Sequence, residues 1–291
     1  MINFFIFITY YVLILISIIG YGLIFLKLLK IKLNYINFGY TGLFGIYILI
    51  IYSYFSNFFV AHSIIHNFII ILIGIIIFFY SIRNQYTLYK KEIYFSFVIF
   101  FLIFCAVLQF KNHDDFPYYH FPYTYYLTQQ SFYIGIGKFN HGFRTPSSIF
   151  YLNSLFYLPY SKFYLFNFFS IFILGFSNII LLKKINNYFK FTFTKDKQLN
   201  FVHFISLLSF IFINIFFYRI SEYGTDRAAM ILIFLFIIEL LSLINQKTIN
   251  NFNLFYIYLL GALVISIKAF YLIYIIFIVP LFFYVFKKNK N

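Results

Sequence analysis

The chain has 291 residues, of which 63% are hydrophobic and 10% charged, and its formal net charge is +15. Soluble domains usually hold about 25% charged residues, and a water-soluble fold of this length has too little interior to bury so much apolar surface. The composition therefore excludes the soluble class and predicts an all-α membrane protein. The apolar runs are continuous rather than alternating, which excludes a transmembrane β-barrel.

Nine apolar runs predict membrane-spanning helices, because a helical span is built from about 17 to 25 mainly apolar residues. The first run lacks a basic segment before it and is too long for a signal peptide, so it predicts a span. The last two runs flank Lys268 and also fit one broken span. The nine runs are 3–26, 37–59, 67–82, 93–109, 163–182, 201–218, 228–244, 254–266 and 269–286.

The basic residues predict the orientation of these spans. Of the 22 Lys and Arg residues, 15 fall in the alternate segments 27–36, 83–92, 183–200, 245–253 and 287–291. The positive-inside rule places those segments in the cytoplasm, with the N-terminus outside and the C-terminus inside. Because the charge is spread over five short segments, it fits lipid headgroups and disfavours nucleic acid as a partner.

Two segments on the predicted outer side hold most of the acidic residues. The long outside loop covers 110–162, and its stretches 118–132 and 147–158 predict amphipathic helices at the membrane surface. The shorter outside segment covers 219–227. Long loops held by a rigid scaffold usually carry function. Four of the seven acids lie in these two segments: Asp114, Asp115, Glu222 and Asp226.

The segment Asn-His-Asp-Asp-Phe-Pro-Tyr-Tyr-His-Phe-Pro, residues 112–122, combines two carboxylates with two imidazoles. Asp114 and Asp115, with His113 and His120, have the groups needed for a general base or for a divalent-cation site. The alternative is that an Asp caps the helix predicted to begin near residue 118. Only one Asp can be that cap, so capping does not account for both.

The pattern Asp115-x-x-x-Tyr119-His120-x-Pro122 resembles a signature of the GT-C superfamily of integral-membrane glycosyltransferases. That superfamily includes protein O-mannosyltransferases and aminoarabinose transferases. Downstream, Gly-Ile-Gly-Lys-Phe-Asn-His-Gly-Phe-Arg-Thr-Pro-Ser-Ser at 135–148 is similar to a stretch of a largely uncharacterised bacterial branch. The resemblance implies a protein of the bacterial inner membrane with a polyprenyl-phosphate-linked sugar as donor. The acceptor would be a glycan, a lipid or a protein on the non-cytoplasmic side.

The resemblance also implies roles for individual residues. Asp115 matches the catalytic acid, which would act as general base on the acceptor hydroxyl or orient an acceptor or metal ion. Asp114 is the second candidate for the base, since paired carboxylates can push their pKa values apart. His120 would orient Asp115 or donate to a phosphate; the alternative is a hydrogen-bonded interfacial histidine beside Tyr119. A divalent cation, if the enzyme uses one, is expected at Asp115 and Asp114.

Several further residues are expected to bind the donor or substrate. Arg144 offers a guanidinium fork that matches phosphate oxygens, and Tyr119 and His141 lie in the same outside loop. Lys138 is interpreted as a headgroup anchor. Lys268 either extends to the membrane surface or binds the donor phosphate, as the resemblance suggests.

Three other positions have two interpretations each. Asp226 is either an N-cap with favourable placement at the helix dipole or a second acidic wall of the site. Glu239 lies inside an apolar run, where it is interpreted as a neutral or hydrogen-bonded packing group. His62 and His66 have a helical metal-ligand spacing, but without a third ligand a plain loop is the preferred interpretation.

The chain departs from the superfamily in two ways. Three predicted spans precede the module that carries the motif loop, where many relatives have one, and the chain stops after about six spans of the usual module. The predicted organisation is a single transmembrane domain, 1–291, with N-terminal spans at 1–92 and a partial GT-C-like module at 93–286. Two alternatives stay open: an O-antigen-type polymerase or ligase that depends on Arg and His, and a transporter or assembly protein using Glu239 and the break at Lys268.

Overall fold

The computed structural model describes residues 3–31, 37–83, 86–108, 113–144, 146–191, 197–216, 220, 224–244 and 251–279. Within these ranges all regular secondary structure is helical, apart from one isolated β-bridge between Leu158 and Lys162. The prediction of an all-α protein is therefore confirmed. The ten α-helices are α1 (Phe4–Leu28), α2 (Phe38–Asn57), α3 (Ile64–Arg83), α4 (Tyr86–Val107), α5 (Phe121–Gln129), α6 (Ser148–Ser154), α7 (Phe168–Phe191), α8 (Lys197–Phe216), α9 (Asp226–Ile244) and α10 (Asn251–Ile267).

Five helical segments in the described ranges are long and apolar enough to cross a membrane, and they coincide with five of the predicted runs. The apolar parts of α8 and α10 are shorter, and α4 begins with a charged turn that contains Lys90, Lys91 and Glu92. The five segments are Phe4–Leu28, Phe38–Asn57, Ile64–Arg83, Phe163–Asn186 and Asp226–Ile244.

The run predicted at 269–286 is not an α-helix in its first part. The N–H of Lys268 closes the last turn of α10 on the carbonyl of Val264, and a 3₁₀ helix follows over Ala269–Phe277. The part of this run beyond residue 279 lies outside the described residues.

The chain forms two compact units. The first contains Met1–Phe176 with Arg219–Gly224, and the second contains Ser177–Tyr218 with Thr225–Asn291. The main boundary between these units thus falls within α7. The single domain predicted for 1–291 stays a prediction.

Glycines bring the three N-terminal helices of the first unit close together. A Cβ on Gly20 of α1 would collide with the carbonyl of Gly74 in α3, and a Cβ on Gly45 of α2 would collide with the carbonyl of Ile18 in α1. Small residues at such contacts let helix backbones approach, which is how helices commonly pack in membranes. Helix α1 is therefore held between α2 and α3.

An aromatic core joins α1, α4 and the first half of α7. Tyr11 stacks on Phe172 with ring centroids 5.5 Å apart, and its hydroxyl donates to the carbonyl of Phe100 over 2.9 Å. Gly175 lies directly against the Phe100 ring. These contacts place the C-terminal half of α4, which leads into the long loop, against α1 and α7.

Polar pairs hold the second unit together. The side chains of Asn178 in α7 and Asn214 in α8 exchange hydrogen bonds of 2.9 and 2.8 Å. Glu239 of α9 accepts from Lys184 Nζ over 3.2 Å, with both side chains mostly buried. The interpretation of Glu239 as a hydrogen-bonded packing group is confirmed.

Candidate functional site

The connection between α2 and α3, residues 58–63, binds the long outside loop through backbone hydrogen bonds. The N–H of His62 donates to the carbonyl of Leu127 over 2.9 Å, and the N–H of Phe132 donates to the carbonyl of Asn57 over 2.8 Å. Leu127 belongs to α5 and Phe132 follows soon after it. The loop therefore folds back onto the ends of the N-terminal helices.

His62 lies in a loop, as predicted, but it is completely buried. Its Nδ1 is 2.6 Å from Ser154 Oγ, and its Nε2 is 2.9 Å from Ser56 Oγ. Burial, reinforced by the neighbouring His66, lowers the pKa of His62 to about 3. The imidazole is therefore neutral at physiological pH, donating through one nitrogen and accepting through the other. It links α2 to α6.

His66 and Asn67 extend this network. His66 stacks on His62 with ring centroids 5.2 Å apart, and its two nitrogens lie 2.9 Å from Tyr52 Oη and 3.0 Å from Asn67 Oδ1. The amide of Asn67 donates to the carbonyls of His62 and Ser154, each over 2.8 Å. Both histidines thus make hydrogen bonds within the protein. The loop expected at these two positions is found for His62, whereas His66 lies in the first turn of α3.

The helices predicted over 118–132 and 147–158 are present but shorter. A π-helical turn, Phe116–His120, runs into α5, and α6 covers only seven residues. Ser147 begins α6 by accepting from the N–H of Ile149 over 3.3 Å. Every residue of α6 is buried, and this helix packs against α2 and α5. It therefore lacks the exposed polar face of the predicted amphipathic helix, and its placement at the membrane surface stays a prediction.

Buried tyrosines connect the helices of the long outside loop to each other and to α2. The hydroxyls of Tyr123 in α5 and Tyr151 in α6 are 3.0 Å apart, and Tyr151 stacks on Tyr54 of α2 at 4.0 Å. Burial raises the pKa of the Tyr123 and Tyr151 hydroxyls above the usual value of 10.0, so both stay protonated. Phe143 packs edge-on against Tyr123 at 5.2 Å. The later part of the loop is thereby fixed over α5.

Asp115 lies at the start of the π-helical turn with a partly accessible carboxylate. Its Oδ2 accepts from Tyr119 Oη over 3.0 Å, and its side chain is 46% exposed. His113 Nδ1 is 3.7 Å from the same oxygen and accepts from the backbone N–H of Asp115 over 3.2 Å. Because that nitrogen is an acceptor here, the contact is not an ion pair. One carboxylate edge is held while the group stays open to an incoming molecule.

The alternative that an Asp caps the helix does not match this geometry. The carboxylate of Asp115 makes no capping hydrogen bond. Instead, its backbone carbonyl accepts from the N–H groups of Tyr118, Tyr119 and His120 over 3.2 to 3.4 Å. Asp114 is exposed, one residue before it. The Asp115 side chain is therefore committed to Tyr119 and not to the helix start.

His120 is buried directly beneath this turn. Its ring lies 4.4 Å from Tyr119, edge-on, and 5.3 Å from Phe150 of α6. The His113 ring is 5.7 Å away on another side. His120 thus packs beside Tyr119, and its burial keeps it behind Asp115 and not at the open face. Both roles expected from the sequence, a donor to Asp115 or phosphate and a hydrogen-bonded interfacial histidine, stay predictions.

Asn140 and Gly142 connect the two segments of the chain that carry the sequence resemblance, 115–122 and 135–148. Asn140 Nδ2 donates to the carbonyl of Tyr118 over 2.8 Å, and its Oδ1 accepts from the N–H of Gly142 over 2.8 Å. Gly142 lies so close to the Tyr119 ring that a Cβ would collide with it. The segment from Gly135 to Arg144 is therefore fastened onto the turn that holds Asp115. Asn140 was not among the candidate residues predicted from the sequence, although its place within the segment 135–148 indicated it as a candidate.

The cationic residues of the loop lie on its exposed surface. Arg144 Nε donates to the carbonyl of Gly137 over 3.4 Å, and Lys138 and His141 are exposed nearby. His141 follows Asn140 directly and Arg144 comes three residues later, so both belong to the segment 135–144 that is fastened to the turn carrying Asp115. Exposed donors for an anion therefore lie in a segment that contacts this turn.

Lys268 and Asp226 are brought together in the second unit. Lys268 Nζ lies 2.7 Å from Asp226 Oδ1, with side chains 38% and 48% exposed. Asp226 is the first residue of α9, not its N-cap, and the preceding Thr225 carbonyl accepts from Ala229. The sequence assigned Lys268 and Asp226 separate tasks, whereas the structure pairs them. Of the shorter outside segment, Arg219 and Glu222 lie outside the described residues.

The donor set around Asp115 suits a hard divalent cation only in part. Among the residues that the structure describes, no group of three or more His, Cys, Asp or Glu side chains gathers in one place. Mg²⁺ is commonly held by one or two carboxylates together with water and substrate phosphate. Asp115 and the exposed Asp114 fit that arrangement if the donor supplies the phosphate oxygens.

These features define an all-helical protein whose apolar helices carry a polar turn built around one partly exposed carboxylate. The chain matches, over residues 4–291, the family described as a domain of unknown function, DUF8201, and belongs to that family. No curated protein and no solved structure matches it. Since the match begins within α1, the N-terminal helices and the outside loop fall in one family region.

Proposed function

We propose that this protein is a glycosyltransferase that moves a sugar from a polyprenyl-phosphate donor to an acceptor on the non-cytoplasmic side of a membrane. The observation that carries the proposal is the turn at Asp115. A partly exposed carboxylate, oriented by Tyr119 Oη at 3.0 Å, lies beside an exposed cationic segment fastened to the same turn by Asn140. A positioned base beside donors for a phosphate is what transfer from a sugar phosphate needs.

In the proposed reaction, Asp115 takes the proton of the acceptor hydroxyl. The acceptor oxygen forms a bond to the anomeric carbon of the sugar while the bond from that carbon to the donor phosphate oxygen breaks. Polyprenyl phosphate leaves with the electron pair, and the guanidinium of Arg144 is suited to stabilise its charge. Tyr119 acts as a positioning residue, because it holds one carboxylate oxygen and leaves the other to the acceptor.

The remaining residues have supporting roles in this proposal. His120 is buried behind Tyr119 and keeps the turn in place, while His141 is exposed beside Arg144 and is suited to bind substrate. The part of Lys268 in donor binding rests on the sequence resemblance, and Asp226 is proposed as a second acidic wall of the site. A divalent cation held by Asp115 and Asp114 would neutralise charge on the departing phosphate.

The proposed setting is the bacterial inner membrane, crossed by about nine spans with the N-terminus outside and the C-terminus in the cytoplasm. The apolar helices of the described ranges are compatible with a lipid bilayer. The distribution of Lys and Arg supports the orientation. In this orientation the Asp115 turn, which follows the C-terminal end of α4, faces the outside.

The test compares Asp115→Asn with Asp114→Asn in membranes supplied with a radiolabelled polyprenyl-phosphate sugar. Asp115→Asn is expected to abolish transfer with unchanged protein in the membrane, because the amide cannot accept the proton. Asp114→Asn is the matched control, an exposed carboxylate one residue away. Transfer at the normal rate by Asp115→Asn would refute the assignment, and loss only in Asp114→Asn would move the base to that residue.

An O-antigen-type polymerase or ligase is the second candidate, favoured by the exposed pair Arg144 and His141. For that class Arg144→Gln should remove activity while Asp115→Asn leaves most of it. The transporter alternative depended on Glu239 and Lys268, which form ion pairs with Lys184 and Asp226. Sodium- or proton-dependent uptake by vesicles would support that class over both enzymes.

A further inference from the structure

A cavity of about 910 Å³ lies between α1, α3 and α4 in the first unit. Its wall is almost entirely apolar and includes Leu15, Ile19, Phe79, Ile93 and Phe97. Sites for small organic ligands span roughly 300 to 1,000 Å³, so this cavity is as large as a full ligand site. Its lining fits a hydrocarbon chain.

Two cations lie at the mouth of the cavity. Arg83, the last residue of α3, is exposed and belongs to the lining. Lys27 Nζ lies 5.7 Å from the ring centroid of Tyr80, which is also part of the lining. An apolar cavity with cations at its mouth complements a lipid with an anionic phosphate headgroup.

We propose that an anionic phospholipid occupies this cavity, with an acyl chain against Phe79 and Phe97 and its phosphate at Arg83 and Lys27. The cavity mouth lies at the end of α4 opposite to the Asp115 turn. At 1.5 Å per residue, a 22-residue helix separates the two places by roughly 30 Å. One phosphate cannot serve both, so the phospholipid site does not depend on the proposed glycosyl transfer.

The test uses the full chain in nanodiscs made from equal parts of phosphatidylcholine and phosphatidylglycerol. In one arm the phosphatidylglycerol carries a photoreactive diazirine in its acyl chain, and in the other arm the phosphatidylcholine carries it. After illumination, mass spectrometry should find phosphatidylglycerol attached to the α3 and α4 residues of the cavity. Arg83→Gln and Lys27→Gln are each expected to lower this labelling by about five-fold, the effect of one cation near an anionic headgroup.

Lys90→Gln is the matched control, since Lys90 is an exposed cation in the first turns of α4 that does not line this cavity. It should leave the labelling unchanged. Equal labelling by the two lipids, or no loss in the Arg83 and Lys27 variants, would overturn the proposal. Displacement of phosphatidylglycerol by polyprenyl phosphate, but not by phosphatidic acid, would assign the cavity to a different lipid.

Discussion

His62 and Ser154 form a hydrogen bond of 2.6 Å between the α2–α3 connection and α6. The Ser154 hydroxyl also donates to the backbone carbonyl of Tyr151 over 2.6 Å. The ring of Tyr151 stacks on Tyr54 of α2. The outside loop and the N-terminal helices therefore share one buried polar network. The Asp115 turn rests on this network through α5 and α6.

Replacing His62 should destabilise the protein. His62→Ala removes two buried hydrogen bonds, to Ser56 and to Ser154, each worth about 0.5–1.5 kcal/mol, and it leaves a cavity where the imidazole was. We expect a clear fall in the unfolding temperature of the detergent-solubilised protein. His141→Ala, which changes an exposed histidine, should shift stability by no more than about 0.5 kcal/mol. Equal effects of the two substitutions would show that the network is not needed.

Acidification should weaken the same network. The pKa of His62 is about 3 in the folded protein, against 6.5 for an exposed histidine. Because the pKa of His62 is lower in the folded state than in the unfolded state, the neutral imidazole contributes to the free energy of unfolding. This contribution is fully present above pH 6.5 and is lost as the pH falls toward 3, because in that range the unfolded chain binds one more proton than the folded protein. The expected loss is about 1.4 kcal/mol per pH unit in that window. Unfolding temperatures between pH 7 and 5 should fall less steeply for His62→Gln.

Tyr119→Phe tests the orientation of the Asp115 carboxylate. It removes only the hydroxyl that donates to Asp115 Oδ2, and a hydrogen bond to a charged group is worth about 1.5 kcal/mol at the lower end. The transfer rate at saturating substrate should fall about ten-fold, with the KM for the donor nearly unchanged. Tyr118→Phe, at an exposed neighbour, is the matched control. A change confined to KM would instead make Tyr119 a substrate-binding residue.

Gly142→Ala tests whether the two motif segments must touch. The added methyl would collide with the Tyr119 ring, and such overpacking costs about 1–3 kcal/mol. Transfer should fall at least as far as in Tyr119→Phe, and the two substitutions should be non-additive because they disturb one contact. Gly261→Ala makes only ordinary contacts, the nearest at 3.4 Å, and should be silent. Additive losses would argue against a shared contact.

Substitutions in the pair formed by Lys268 and Asp226 test whether Lys268 has a structural role or binds the donor. Both side chains are more than one-third exposed, so solvent screening leaves the pair worth at most about 1 kcal/mol. If Lys268 binds the donor phosphate, Lys268→Gln should raise the donor KM about ten-fold, whereas Asp226→Asn should not raise it. Equal, small changes in unfolding temperature with no change in KM would make the pair purely structural.

The helices were predictable from sequence because their lengths follow from continuous apolar runs. The predicted run 37–59 corresponds to α2 at Phe38–Asn57, and the run 228–244 corresponds to α9 at Asp226–Ile244. Residues that begin a helix can also be predicted from the local sequence. Asn3, for example, begins α1 by accepting from the N–H of Phe5. The exception is the segment after Lys268, where an equally apolar sequence forms a 3₁₀ helix.

The contacts of the candidate site were less predictable because they join residues far apart in the chain. The burial of His62 depends on Ser154, 92 residues later, and the fastening of the cationic segment depends on Asn140 reaching Tyr118, 22 residues earlier. Neither contact leaves a periodic pattern. The motif resemblance drew attention to the segments 115–122 and 135–148, which contact each other through Asn140 and Tyr118, but it did not indicate that α2 and α3 support them.

The glycine contacts of α1 with α2 and α3 bear on how the protein is made. A chain is synthesised from its N-terminus, so these three helices emerge before the residues around Asp115 exist. Gly20, Gly45 and Gly74 allow them to close without waiting for later segments. The growing loop would then meet a preformed platform that already presents His62 and Asn67. A chain whose translation began at α4 would lack this template, and its loop would have to find its shape unaided.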